Sequence, residues 1–287
     1  MEKKEQKKKF RLRWWHIFLI IAAIVGIWWF NNYTIRTNKN AFVTEKVSSR
    51  FRIAVISDLH INKDGIDSKR ILDKINAADP DMVFVLGDMY TTGSTQELID
   101  LAADAVTAIT DEGYSTYFVS GEHDTDSSYI EKLEAGGVNV MNYKSDTITV
   151  KGNKIQLIGI DNAYYSPTFD LHNEFTVDKS CFSILLAHIP NYAKFSEFGA
   201  DLTLCADTHG ALFQLPFDLG PLVDPNKTDQ LFPQLTSDEP VFDKGWFQYP
   251  GGAMFITSGL GDSPYPVRFN NRPEVVVLDI LPEKEEK

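Results

Sequence analysis

RIAVISDLH, residues 52–60, decides the fold: an apolar, β-branched run that breaks abruptly into Ser57, Asp58 and His60. The same design recurs four times, as MVFVLGD (82–88), TYFVSGEHD (116–124), ILLAHIP (184–190) and LTLCADTHG (202–210). Short apolar runs bounded by Gly, Asp and Ser read as buried strands, which predicts strands over 53–56, 82–86, 116–119, 184–187 and 202–205. Each run ends in acid or imidazole: Asp58 and His60, Asp88, Glu122 with His123 and Asp124, His188, and Asp207 with His209. Ligands of open α/β sheets bind beyond the carboxyl ends of strands, so these residues can converge. A single Asp-x-His is common by chance, and Gly-Asp after a strand is often only a turn. Five such strand ends in one chain form a specific pattern.

Between the early strands the apolar period becomes helical. Residues 68–78 place Ile71, Ile75 and Ala78 on one face, and 95–110 place Leu98, Leu101, Ala102, Ala105 and Ile109 on one face. Gly136-Gly137 ends a short third helix. Residues 147–150 and 155–160 flank Lys-Gly-Asn and read as a hairpin, with further strands at 254–257 and 275–280. Alternation of strand and helix, followed by a strand-rich half, gives an α/β fold of α+β type with mixed sheets. The segment 211–253 holds six prolines and seven aromatic residues and reads as a long loop. Because it follows His209, it should border the site. Its aromatics either contact a lipid or sugar part of a ligand or form a local core.

The flanks of this body are equally informative. The 287 residues carry 28 basic and 40 acidic side chains, a formal charge of −12. Seven basic residues against two acidic ones fall in the first 13 positions, which leaves −17 on the remainder. So acidic a body repels a phosphate backbone, which argues against a nucleic-acid partner. The segment 14–30, WWHIFLIIAAIVGIWWF, has no formal charge and carries a tryptophan pair at each end. It meets the lower limit of about 17 residues for a transmembrane helix, and its tryptophans suit the two interfaces. No small-x-small cleavage site follows it, so an uncleaved anchor is favoured over a signal peptide. The basic arm, 1–13, then stays cytoplasmic, 31–50 is a polar linker, and 51–287 forms the domain outside the cytoplasm. Cys181 and Cys205 sit in or beside apolar runs and read as buried, reduced residues.

The order DLH, GDMYT, GEHD, AHIP and ADTHGA resembles that of the calcineurin-like metallophosphoesterase superfamily, whose motifs run D-x-H, G-D-x-x-D, G-N-H-[DE], a histidine after a strand, and G-H-x-H. The resemblance spans roughly residues 51–280. The tail SGLGDSPYPVRFNNRPEVVVLDI (258–280) is similar to that of the membrane-associated bacterial phosphodiesterases of this superfamily. The resemblance implies a four-layer α/β/β/α sandwich with two divalent metal ions between the sheet ends. Carried over by position, it makes Asp58, His60 and His209 ligands of the first metal, Asp88 the bridging carboxylate and His188 a ligand of the second. His123 becomes the catalytic histidine. Three positions depart from the pattern. Glu122 replaces Asn, Asp207 replaces a histidine, and Thr91 stands where an Asp commonly orients the catalytic histidine. Asp124 is a candidate to take that orienting role.

Two divalent ions clamp the attacking and leaving oxygens of an in-line displacement and activate a bridging hydroxide. The expected function is therefore a membrane-anchored, extracytoplasmic phosphoesterase, a phosphodiesterase or pyrophosphatase acting on a phosphate ester that is lipid- or envelope-linked. Glu122 and Asp207 in place of neutral ligands favour Mn²⁺, with Zn²⁺, Fe²⁺ and Mg²⁺ as alternatives. The same departures also suit a catalytically weakened metal- or ligand-binding module on this fold, or a hydrolase with only the first metal bound. Activity on an aryl phosphodiester and metal stoichiometry separate these three readings.

Overall fold

The computed structural model describes residues 13–161, 169–262 and 267–283. The basic residues ahead of Arg13, and residues 263–266 of the tail, lie outside the described residues. Two six-stranded sheets form the body. In the first, β1 (Arg36–Thr44), β14 (Glu274–Pro282), β2 (Phe51–Ile56), β3 (Met82–Val85), β4 (Ser115–Phe118) and β5 (Asn139–Val140) lie side by side in that order. In the second, the order is β12 (Gly245–Tyr249), β13 (Gly252–Ile256), β9 (Leu202–Cys205), β8 (Phe182–Leu186), β7 (Asn153–Gly159) and β6 (Lys144–Val150). Strands β2, β3 and β4 are mutually parallel, as are β7, β8 and β9. The site-bearing strands of each sheet therefore end on one edge.

Side-chain alternation builds four layers. Ile53 and Val55 of β2 enter a core shared with Ile184 and Leu186 of β8 and Leu202 and Leu204 of β9. Ala54 and Ile56 face the opposite way, toward α2 (Ser68–Ala78), α3 (Gln96–Asp111) and α4 (Ser127–Ala135). On the far side, Leu185 and Ala187 pack with Phe195 and Phe198 of α6 (Tyr192–Phe198) and Leu171 of α5 (Leu171–Glu174). Two-sided burial is why these strands read as continuous apolar runs. Asp67 caps α2 by accepting from Lys69 N at 2.9 Å, and Asp126 caps α4 by accepting from Ser128 N at 2.8 Å. Both cysteines are buried and free.

Three expectations are corrected. Helix α3 buries Ile99, Ala102, Ala103, Val106 and Ile109, while Leu101 is exposed. The two neighbouring stripes are almost equally apolar, and the sheet selects the one carrying Ile99 and Val106. Within the stretch read as a linker, residues 36–44 form β1, paired in parallel with β14 along its whole length. Backbone bonding to β14, with Phe42 packing on the core, places this largely polar edge strand. The long loop is partly regular. It contains β10 (Val223–Asp224), β11 (Lys227–Leu231) and α7 (Pro233–Thr236) before β12 joins the sheet. Phe242 and Phe247 pack in the outer core, and Tyr192 stacks on Phe242 with centroids 4.9 Å apart, whereas Phe217 is 91% exposed.

Helix α1 (Trp14–Tyr33) precedes the body. Its 20 residues are long and apolar enough to cross a membrane, and its side chains from Ile17 to Phe30 are exposed, whereas Asn31 and Asn32 are buried.

Candidate metal centre

The five strand ends meet at the seam between the sheets. Asp58 and His60 follow β2, Asp88 follows β3, Glu122 and His123 follow β4, His188 follows β8, and Asp207 and His209 follow β9. Among the bonds that cross the seam, Asp207 N–H donates to Asp58 Oδ1 at 3.2 Å, and His188 Nδ1 bonds the Leu86 carbonyl. Asp58, His60, Asp88, Asp207 and His209 all have φ between 42° and 69°. Five non-glycine residues in this disfavoured region, concentrated at one site, show a backbone held there by its surroundings. Gly87, at φ 89°, permits one close approach here, since a Cβ there would lie 2.2 Å from Gly121 N.

Three overlapping groups could each hold an ion: Asp58, His60 and His209; His60, Asp88 and His123; and Asp58, Asp88 and His188. Asp88 is their hub. Its Oδ1 accepts from His123 N at 2.9 Å. Its Oδ2 lies 3.2 Å from His188 Nε2 and 3.9 Å from both His60 Nε2 and His123 Nε2. The remaining two expected residues sit at the rim. Asp207 Oδ1 is 3.9 Å from His188 Nε2, and Glu122, with its side chain 53% exposed, is 3.8 Å from His123 Nε2.

Electrostatics follows from burial. Desolvation pushes Asp58 up to about 6 and Asp207 to about 7, reinforced by neighbouring acids and opposed by His188. Burial also acts upward on Asp88, but His188, the His123 amide and His60 overcome it and hold Asp88 at about 2. Burial opposes the charge on His188, yet Asp88, Asp58 and Asp207 outweigh it and raise its pKa well above the ordinary value. His60 falls to about 4 and His209 falls well below its ordinary value, both chiefly by burial, so both are neutral imidazoles able to act as ligands.

The residues fit divalent cations. Among the described residues, the buried Nε2 atoms of His60 and His188 have no hydrogen-bond partner, although Asp88 lies so near. His188 Nδ1 bonds the Leu86 carbonyl and His209 Nδ1 bonds the Gly261 carbonyl at 3.3 Å, which turns Nε2 of each ring toward the site; neutral His209 offers its lone pair there, and His188 does so once its Nε2 proton is displaced. Buried acids driven toward protonation, beside unpartnered imidazole nitrogens, lack the positive charge that metal ions supply.

The loops around these residues hold features that motif spacing does not mark. Asp124 does not bond the His123 ring. Its buried carboxylate accepts from the amides of Asp88 (2.6 Å), Met89 (3.3 Å) and Gly121 (2.9 Å), tying two strand-end loops together. Thr92 meets His123 instead, through its amide at 3.1 Å and its hydroxyl at 2.8 Å from Nδ1. Thr91 Oγ1 lies 3.0 Å from His60 Nδ1. A buried arginine, Arg268, bonds Gly261 and Asp262 behind His209. The adjacent threonines in GDMYTT could have been noticed, but not which ring each would meet.

Comparison with known proteins places this geometry. The chain is 26% identical over 239 residues to the metallophosphoesterase YkuE of Bacillus subtilis, covering 80% of this chain and 79% of that one. It is 23% identical over 280 residues to a metallophosphoesterase of Aquifex aeolicus, covering 91% and 98%. Among solved structures, the NAD nucleotidase NadN of Haemophilus influenzae is similar at a TM-score of 0.47 and 18% identity; the match covers 72% of this chain and 44% of that one. Residues 51–211, more than half of the chain and all five site-bearing strand ends, match the calcineurin-like phosphoesterase family, and the chain belongs to that family.

Proposed function

We propose that this phosphoesterase is a membrane-anchored, extracytoplasmic phosphodiesterase or pyrophosphatase that works with two divalent cations. The observation that carries the dinuclear reading is Asp88 Oδ2, which faces three imidazole nitrogens at 3.2–3.9 Å while Oδ1 is occupied by the His123 amide. Asp58, His60 and His209 would hold the first ion, Asp88 would serve both, and His188 with Asp207 and Glu122 would hold the second. When bound, such a pair polarises the phosphoryl oxygens and supplies a nucleophile from water. His123 donates the proton to the leaving oxygen. The Thr92 amide donates to His123 Nδ1, so a neutral ring carries its proton on Nε2, the nitrogen that faces Asp88. With two oxygen donors, Glu122 and Asp207, the second position favours Mn²⁺.

Helix α1 supports the anchor, because its apolar side chains from Ile17 to Phe30 remain exposed. The basic arm before it then sets the N-terminus in the cytoplasm. The partial exposure of Glu122 favours a second reading, in which only the first position binds tightly.

The test is hydrolysis of bis(4-nitrophenyl) phosphate by metal-stripped protein resupplied with Mn²⁺, alongside metal analysis. Two ions per chain with restored turnover is expected. One ion at full activity would establish the mononuclear reading, and stable metal binding without turnover would refute the enzyme. Protease added to sealed spheroplasts should digest the body; a fully protected body would refute the topology.

A further inference from the structure

The end of α1 is clamped to the body beside the site. Asn32 Oδ1 accepts from Arg268 N at 2.7 Å, and its amide donates to the Arg268 carbonyl at 3.2 Å. Arg70 donates to the Tyr33 carbonyl at 2.8 Å. Arg272 Nε donates to the carbonyl and hydroxyl of Thr34, and its guanidinium lies 4.4 Å from the Phe30 ring centroid. Next to this clamp is a cavity of about 440 Å³, with an apolar wall of Ile27, Phe30 and Phe269 and a polar wall of Arg36, Arg272 and Asn270.

The charge in this cavity is unusual for so acidic a protein. No acid lines it. Arg36 pairs with Glu274, which is buried and also accepts from Ser258 N at 3.0 Å. Among the described residues, Arg272 has no carboxylate partner. Burial and the neighbouring Arg36 charge both lower its pKa, the mark of a cation short of compensating anion.

We propose that this cavity holds the phosphate of an anionic phospholipid from the bilayer in which α1 is anchored. The inference rests on the anchor reading and extends it. Tryptophans 28 and 29 mark where the helix leaves hydrocarbon, so Phe30, Arg36 and Arg272 lie at headgroup level. Arginine forks bind phosphate oxygens in pairs. The apolar wall, carrying Ile27 and Phe30 of the anchor itself, receives the start of the acyl chains, which inorganic phosphate lacks. Phe217, exposed and covalently next to Pro216 at the cavity edge, enters the same interface. Seating a lipid here fixes the body's tilt and presents the metal centre at a constant height above the membrane.

The test uses the full chain in a neutral detergent, titrated with dihexanoyl phosphatidylglycerol, dihexanoyl phosphatidylcholine or inorganic phosphate while the thermal midpoint is followed. Phosphatidylglycerol should raise the midpoint saturably, and the other two should not. Arg272→Gln should weaken that response about tenfold, the size expected for losing charge-assisted hydrogen bonds, and Arg272→Lys should retain part of it. Asn270→Asp, which adds an anion to the cavity at an exposed position, should produce the same loss without removing a clamp. Equal responses to both lipids, an equal response to phosphate, or wild-type binding by both Arg272→Gln and Asn270→Asp would overturn the proposal. Carbonate extraction of cell membranes separates the two layers of inference. Release of the protein would overturn the anchor itself, whereas retention without a phosphatidylglycerol preference would overturn only the headgroup site.

Discussion

Asp88→Asn isolates one atom. Asp88 Oδ1 already accepts from the His123 amide at 2.9 Å, and an asparagine keeps that bond only with its oxygen in the same place. The new amide nitrogen then occupies the Oδ2 position, 3.2 Å from His188 Nε2 and 3.9 Å from His60 and His123 Nε2. A charged acceptor becomes a neutral donor at the point shared by the imidazoles. In the metal-free protein this change is mild. The amide can donate to a neutral His188, and the neighbouring Asp58, Asp124 and Asp207 lose the anion whose charge raises their pKa values. The metal-free thermal midpoint should therefore stay within a few degrees of wild type. Metal binding should not survive. Unit charges 4 Å apart at an effective dielectric constant of 20 interact by about 4 kcal/mol, and a dication doubles that. Even after most of it is returned as solvation, about 3 kcal/mol remains, a loss of more than ~100-fold in affinity. Calorimetric titration of stripped protein with Mn²⁺, paired with turnover of an aryl phosphodiester, measures both consequences. A folded Asp88→Asn protein that binds two ions with wild-type affinity would refute the bridging role outright.

Three further outcomes are expected. His123→Ala should retain metal while kcat falls by ~10²–10⁴-fold, and Thr92→Val, which keeps the amide bond to Nδ1 but removes the hydroxyl, should cost only about tenfold; metal loss in His123→Ala would instead make it a ligand. Between pH 6.5 and 8 the folded metal-free chain holds more protons than the unfolded one, because His188 is raised well above its ordinary value and Asp124 and Asp207 reach about 7. Metal-free stability should therefore fall as pH rises through that window, and Mn²⁺ binding should strengthen while releasing about one proton or more near neutral pH. Titrations in two buffers of different ionisation enthalpy measure the release, and a value of zero contradicts this electrostatic picture. Gly87→Ala forces a side chain at φ 89° to within 2.2 Å of Gly121 N, so urea denaturation should show a loss of about 2–5 kcal/mol from strain and overpacking.

The strands, their period and the edge from which chemistry emerges are legible in residue type alone. Runs such as 53–56 and 184–187 are apolar throughout because both faces are buried, and that two-sided demand is written locally in residue type. The residues that converge were legible for the same reason: each follows its strand within a few positions, so a parallel sheet delivers them together. Tertiary structure decided what composition leaves open. Polar residues 36–44 became an edge strand because β14 offered a free ladder of backbone groups, which no side-chain pattern announces. Helix α3 turned Ile99 and Val106 inward and left Leu101 exposed, because two apolar stripes competed and the sheet chose. The threonines of GDMYTT divided between His60 and His123, and Asp124 turned to the amides of Asp88 and Met89 as well as nearby Gly121, through loop geometry that brings together residues more than thirty positions apart. Burial and residue pattern are properties of a segment and can be read from it. Hydrogen-bond partners between loops depend on relative positions that exist only once both sheets have packed.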